Sequence, residues 1–198
     1  MTSPSPLRER KKERTRTAIE NAALALFDER GFDAVTLAEI ADAAEVGHRT
    51  LFRYFADKEE LLFGDDDAVR QRLSEALAAR PKQEHAVTAL QEALADLAVL
   101  WQDSPEQGRR RQALIVASAP LAARERAKHS AYEQVLHQGL VDRGVGDHAA
   151  RLLSRVGVAC FHEAVGRWLA DPDPRRPGLP RTVRRAFSDL AALLQKAP

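Results

Sequence analysis

Between Thr36 and Phe55 the sequence TLAEIADAAEVGHRTLFRYF has room for two helices and almost none for the segment that joins them. Thr36 followed by Glu39 makes a capping box. The threonine oxygen can accept from the backbone at N3 while the glutamate reaches back to the threonine amide, so a helix starts here. Leu37, Ile40, Ala41 and Ala44 then form one apolar stripe. Gly47 can serve as the next N-cap, and Leu51 and Phe55 give the following helix an inward face. That leaves a turn of about three or four residues around Glu45 and Val46.

The rest of the chain is helical by the same criterion. Ile19, Ala22, Ala23, Leu26 and Phe27 place one stripe on a helix from about Lys11 to Arg30, with Gly31 placed to end it. Residues 1–8, which contain Pro4 and Pro6, read as a flexible arm. Asp57 caps a fourth helix that runs from Lys58 to about Arg80, before Pro81. Further stripes cover about Gln83 to Gln102, Arg109 to Ser118, Leu121 to Arg143, Asp147 to Ala170 and Leu179 to Gln195. No stretch alternates with the period of a strand. The fold class is all-α, with a division into residues 1–8 (arm), 9–57 (a three-helix domain) and 58–198 (a larger helical domain).

Charge narrows the possible partners. The formal net charge is only +1, so no uniformly basic surface advertises nucleic acid. Residues 8–16, however, hold six cations against two acids, while residues 1–58 hold ten of each. The first domain is therefore polarised, with acids such as Asp28, Glu29 and Asp42 expected to face away from any polyanion. One cysteine, Cys160, cannot form an intramolecular disulfide, and a cytoplasmic location follows as the default. No apolar run approaches the length that spans a bilayer.

Catalytic signals are absent. There is no phosphate-binding glycine loop, nucleophile elbow or metalloprotease motif. His129, His137, Cys160 and His162 lack the short-range pairing of a structural zinc site. No enzyme activity, cofactor or metal is expected, and the run Gly64 to Asp67 reads as a solvated acidic surface.

Two helices joined by a tight turn match the helix-turn-helix pattern, in which the later helix enters the DNA major groove. Leu51 and Phe55 would hold that helix to its domain, and His48, Arg49, Thr50 and Arg53 would face phosphates and base edges. The stretch FDERGFDAVTLAEIADAAEVGHRTLFRYFADKEELL resembles the DNA-binding domain of the TetR family of transcriptional regulators. Carrying the resemblance are Gly31-Phe32, the Thr36-capped helix with Ile40-Ala41, the run TLFRYF, and Lys58-Glu59 with Leu61.

The resemblance implies roles for particular residues. Thr36 would touch a phosphate, Thr50 a phosphate or a base edge, and His48 and Arg49 would read bases from a helix that Gly47 begins. Phe52 stands where a tyrosine is more usual, leaving apolar contact only. Tyr54 would reach phosphate, and Lys58 would add a charge-assisted phosphate contact. Arm cations such as Arg14 would reach the minor groove or the flanking phosphates. Two departures stand out. Glu45 occupies a turn position that usually carries glycine, where a left-handed backbone would cost about 1 kcal/mol. Ala38 cannot read a base.

A double-stranded, palindromic operator requires two copies of the chain. The expected homodimer forms through residues 147–195, where the penultimate helix is apolar nearly all round and Gly157 and Gly166 would permit close approach. The resemblance also implies an apolar small-molecule effector held in the middle helices, with Trp101, His129, Tyr132 and His162 as lining candidates. The expected function is a ligand-released repressor. The alternative is a helical small-molecule-binding protein without specific DNA readout, kept open by Glu45, Ala38 and the neutral first domain.

Overall fold

The structure is a computed structural model that describes residues 6–173 and 175–196. All elements among them are helical, and they divide into two compact units. The first takes residues 1–65 together with 110–122, and the second residues 66–109 with 123–198. A division at residue 57 therefore leaves two segments, 58–65 and 110–122, on the wrong side. Both carry apolar side chains that the first unit buries: Leu61, Leu62, Phe63, Leu114, Ile115 and Leu121.

Four helices open the first unit: α1 (Pro6–Arg30), α2 (Leu37–Ala43), α3 (His48–Tyr54) and α4 (Glu60–Phe63). Of the arm expected over residues 1–8, residues 1–5 lie outside the described residues and 6–8 already belong to α1. Ile19, Ala23 and Phe27 form the buried stripe of α1 and meet Ile40, Ala41, Leu51 and Phe55 in one core. Phe27 and Phe32 stack at a tilt, 4.9 Å between ring centroids, so the loop after α1 is anchored by its own aromatic. The single fourth helix expected from Lys58 to Arg80 is broken. Gly64 has φ 72 and ψ −166, a conformation that suits only a residue without a side chain, and α5 (Asp66–Ala78) starts afresh after it.

The α2–α3 corner keeps the geometry of a glycine turn without the glycine. Glu45 has φ 54. The Val46 amide donates to the Ala41 carbonyl at 2.9 Å and the Glu45 amide to the Asp42 carbonyl at 3.1 Å, the paired bonds that close a helix through a left-handed residue. A β-carbon is disfavoured there, so Glu45→Gly is expected to raise the unfolding free energy by about 0.5–1 kcal/mol. Denaturant unfolding monitored by circular dichroism would show it, and an unchanged or lower midpoint would mean that the glutamate side chain offsets the strain.

In the second unit α5, α6 (Ala86–Ala98), α9 (Asp147–Ala170) and α10 (Leu179–Lys196) pack around one core with α8 (Ala119–Asp142). Helix α7 (Pro105–Ala117) and helix α8 each have residues in both units. Core residues of the second unit include Leu73, Leu90, Leu94, Leu136, Phe161, Trp168, Val183 and Phe187. Gly157 is used inside the protomer: a β-carbon there would lie 2.8 Å from the Leu90 side chain. Its small size serves the α6–α9 packing and not a second copy of the chain, whereas Gly166 has open space before it. The connector after α9 is tied back by the Trp168 indole, which donates to the Pro177 carbonyl at 3.1 Å while Arg176 lies over its ring. Among the described residues no helix is long and apolar enough to cross a membrane.

Candidate nucleic-acid interface

The surface begins with the Thr36 cap. Its hydroxyl oxygen accepts from the Glu39 amide at 3.3 Å, and the Glu39 carboxylate accepts from the Thr36 amide at 2.8 Å and the Thr36 hydroxyl at 2.7 Å. Arg30 adds an ion pair at 2.7 Å. The Thr36 side-chain hydrogen bond first, then its amide and Arg30, hold the Glu39 carboxyl down at about 2. The start of α2 is thus fixed in place, and α2 in turn fixes the corner that aims α3.

Helix α3 buries one side chain, Leu51, and its C-cap Phe55 is buried as well. The remaining face is open: His48, Arg49, Phe52 and Arg53 are exposed, while Thr50 and Tyr54 are half-buried. Phe52 stands 55% exposed, so its ring is available for apolar contact. The Arg53 guanidinium lies 5.3 Å from the Tyr54 ring centroid, which presents cation and phenol side by side. Gly47 starts the helix with open space where a β-carbon would be, so a polyanion could approach the backbone closely. Arg14 is exposed on α1, on a helix and not on an arm.

Lys58 has partners within the chain. Its ammonium donates to the Phe32 carbonyl at 2.9 Å and to the Val35 carbonyl at 3.0 Å, and lies 4.2 Å from the Phe32 ring centroid. With its donors and charge turned onto the α1–α2 loop, it clamps the base of α2. Two of the three N–H donors of the ammonium are used in this way. Asp57 Oδ1 accepts from the Glu60 amide at 2.7 Å, the bond of an N-cap, and Glu59 already has helical angles, so Lys58 sits in the first turn leading into α4.

The four effector-site candidates separate. His129 and His162 line one pocket of about 290 Å³ in the second unit, together with Glu133, Arg155, Val158, Ala159 and Glu163. Trp101 instead stacks on Phe161 at 5.5 Å and Tyr132 is buried in the core; neither lines that pocket. Glu133 was legible in principle, because it stands four residues beyond His129 on the same helical face. Arg155 stands two turns before His162 on the same face of α9, and Glu163 is its neighbour in sequence. The histidines set aside for want of short spacing, His129 and His162, are brought together by the fold, 4.7 Å between ring centroids.

Two family models match different parts of the chain. Residues 19–64 match the model of bacterial regulatory proteins of the tetR family, and residues 83–195 match the MftR C-terminal domain. The chain is 40% identical over 84 residues to the HTH-type transcriptional regulator TcmR of Streptomyces glaucescens, a match that takes in 42% of this chain and only 37% of that protein. It is 26% identical over 165 residues to the Mycobacterium tuberculosis protein named as a mycofactocin biosynthesis transcriptional regulator, MftR, covering 82% of this chain and 83% of that one. Among solved structures, the transcriptional regulator FadR from Bacillus subtilis, crystallised with stearoyl-CoA, aligns with a TM-score of 0.57 at 17% identity, over 88% of this chain and 96% of that one.

Proposed function

As a member of the TetR family of bacterial regulatory proteins, the chain is a DNA-binding transcriptional regulator, and we propose that it represses by occupying a palindromic operator as a homodimer. The observation that carries this reading is α3 itself. One buried leucine holds it to the domain, while His48, Arg49, Phe52 and Arg53 are left facing outward. Arg49 reads a base edge, Phe52 covers apolar surface such as a thymine methyl, and Thr50, Tyr54 and Arg14 contact phosphates. The cell's DNA being the target, the protein acts in the cytoplasm. Two copies pair through α9 and α10, which spaces the two α3 helices about one DNA turn apart or a multiple of it.

A small, apolar molecule entering the second unit would release the operator by binding one dimer arrangement more tightly than the other. FadR, of similar fold and crystallised with stearoyl-CoA, is a precedent for holding an apolar acyl chain, though its coenzyme A part is large and anionic. The alternative, a helical binding protein without DNA readout, loses one of its supports in the α2–α3 corner, where Glu45 adopts the turn conformation that glycine would.

Selection of binding sequences from a random duplex pool tests the reading, and recovery of a palindrome is expected. On the selected site, Arg49→Ala should lower discrimination at one base pair per half-site by about 1–3 kcal/mol while leaving discrimination elsewhere intact. An unchanged base preference would remove Arg49 from the reading face.

A further inference from the structure

Glu125 and His129 stand one helical turn apart on α8, and His162 reaches them from α9. One ligand atom of each lies within 4.8 Å of the other two. The two imidazoles meet edge to face at 4.7 Å between centroids. The trio grades from inside to outside, because Glu125 is 9% exposed, His129 half-buried and His162 exposed. The pocket of about 290 Å³ opens on both imidazoles.

Two nitrogens and one carboxylate oxygen are the donor set by which zinc and its neighbours in the first transition row are held, and three protein ligands leave a fourth position open. Calcium and magnesium would require more oxygens than this cluster offers. At about 2.0–2.2 Å from a common ion, ligand atoms sit roughly 3.3–3.6 Å apart, so the three side chains draw in from their present spacing when an ion binds. Glu133 and Glu163 line the pocket with Arg155, which is itself 3.8 Å from Glu133. The neighbouring Lys128 ammonium is neutralised by Asp66 at 2.7 Å.

We propose that Glu125, His129 and His162 hold a divalent ion of the zinc class, with its open position facing the pocket. The site is complete within one protomer and does not depend on operator binding. An ion there would join α8 to α9.

Titration of the full-length, tag-free chain with zinc by calorimetry and with cobalt by visible absorption tests this directly. One ion per chain is expected, with the intense ligand-field bands of four-coordinate cobalt, and with affinity that falls as pH drops through the histidine range because both imidazoles must be neutral. His162→Ala and His129→Ala should each lower the affinity by about 100-fold or more, beyond the 10–100-fold that a change outside the ligand set costs. Circular dichroism would verify that the variants keep their helical content, and His137→Ala should bind like the parent. The exposed His162 makes its variant the safer one structurally. No stoichiometric binding by the parent, or binding undiminished in both folded histidine variants, would overturn the assignment.

Discussion

Lys58→Met is expected to lower the unfolding free energy of the first unit by about 2–4 kcal/mol, because the variant lacks both charge-assisted hydrogen bonds and the cation–π attraction to the Phe32 ring. Methionine keeps most of the stem's apolar surface, so the difference isolates the ammonium. The carbonyls of Phe32 and Val35 would be left to find other donors, and the loop that leads into the Thr36 cap would loosen. Operator affinity should then fall because the α2–α3 pair is less often in place, while the dependence of binding on salt among folded molecules stays the same. Denaturant unfolding by circular dichroism, paired with binding titrations at several salt concentrations, would separate the possibilities. A variant of parental stability whose salt slope drops by about one unit would instead return Lys58 to the phosphate backbone.

Leu193→Asp with Leu194→Asp is expected to produce a monomer and to weaken operator binding by roughly 100- to 10,000-fold, the avidity that linking two half-site readers supplies. Leu193 and Leu194 stand 68% and 69% exposed near the end of α10, and Leu152 on α9 is 57% exposed. These are large apolar side chains in water on the two helices proposed to pair. Because they touch little within their own protomer, aspartates there should leave the fold intact. Sedimentation would report the mass and titration the affinity. A double variant that remained dimeric would place the interface away from Leu193 and Leu194.

Local chemistry was legible in the sequence; long-range chemistry was not. The capping box at Thr36 and Glu39 needs only three residues of spacing, and the structure shows both of its hydrogen bonds. The inward pair Leu51 and Phe55 follows from one turn of helix, and both are buried. Lys58 could not be read in the same way. Its partners are carbonyls 26 and 23 residues upstream, and carbonyls carry no side-chain signature. Gly157 read as a surface for a second chain because small residues look alike wherever two helices approach, and only the position of Leu90 shows which helix it meets. The break at Gly64 did carry a local signal, a glycine followed by three aspartates, all poor helix formers; its backbone angles are what the sequence does not state.

By itself, the sequence determined that the chain is helical, where α2 and α3 begin, which side chains face inward on each, and that the turn between them is too short for anything but a sharp corner. All of these depend on spacings within a few turns of helix, where the periodicity of the backbone converts residue number into direction. The tertiary structure decided which of the exposed-looking charges are available. It turned Lys58 inward, left Arg49 and Arg53 out, assigned residues 110–122 to the first unit, and set His162 beside Glu125 and His129. Those outcomes depend on packing between segments far apart in the chain, which fills a shared core that no local pattern encodes.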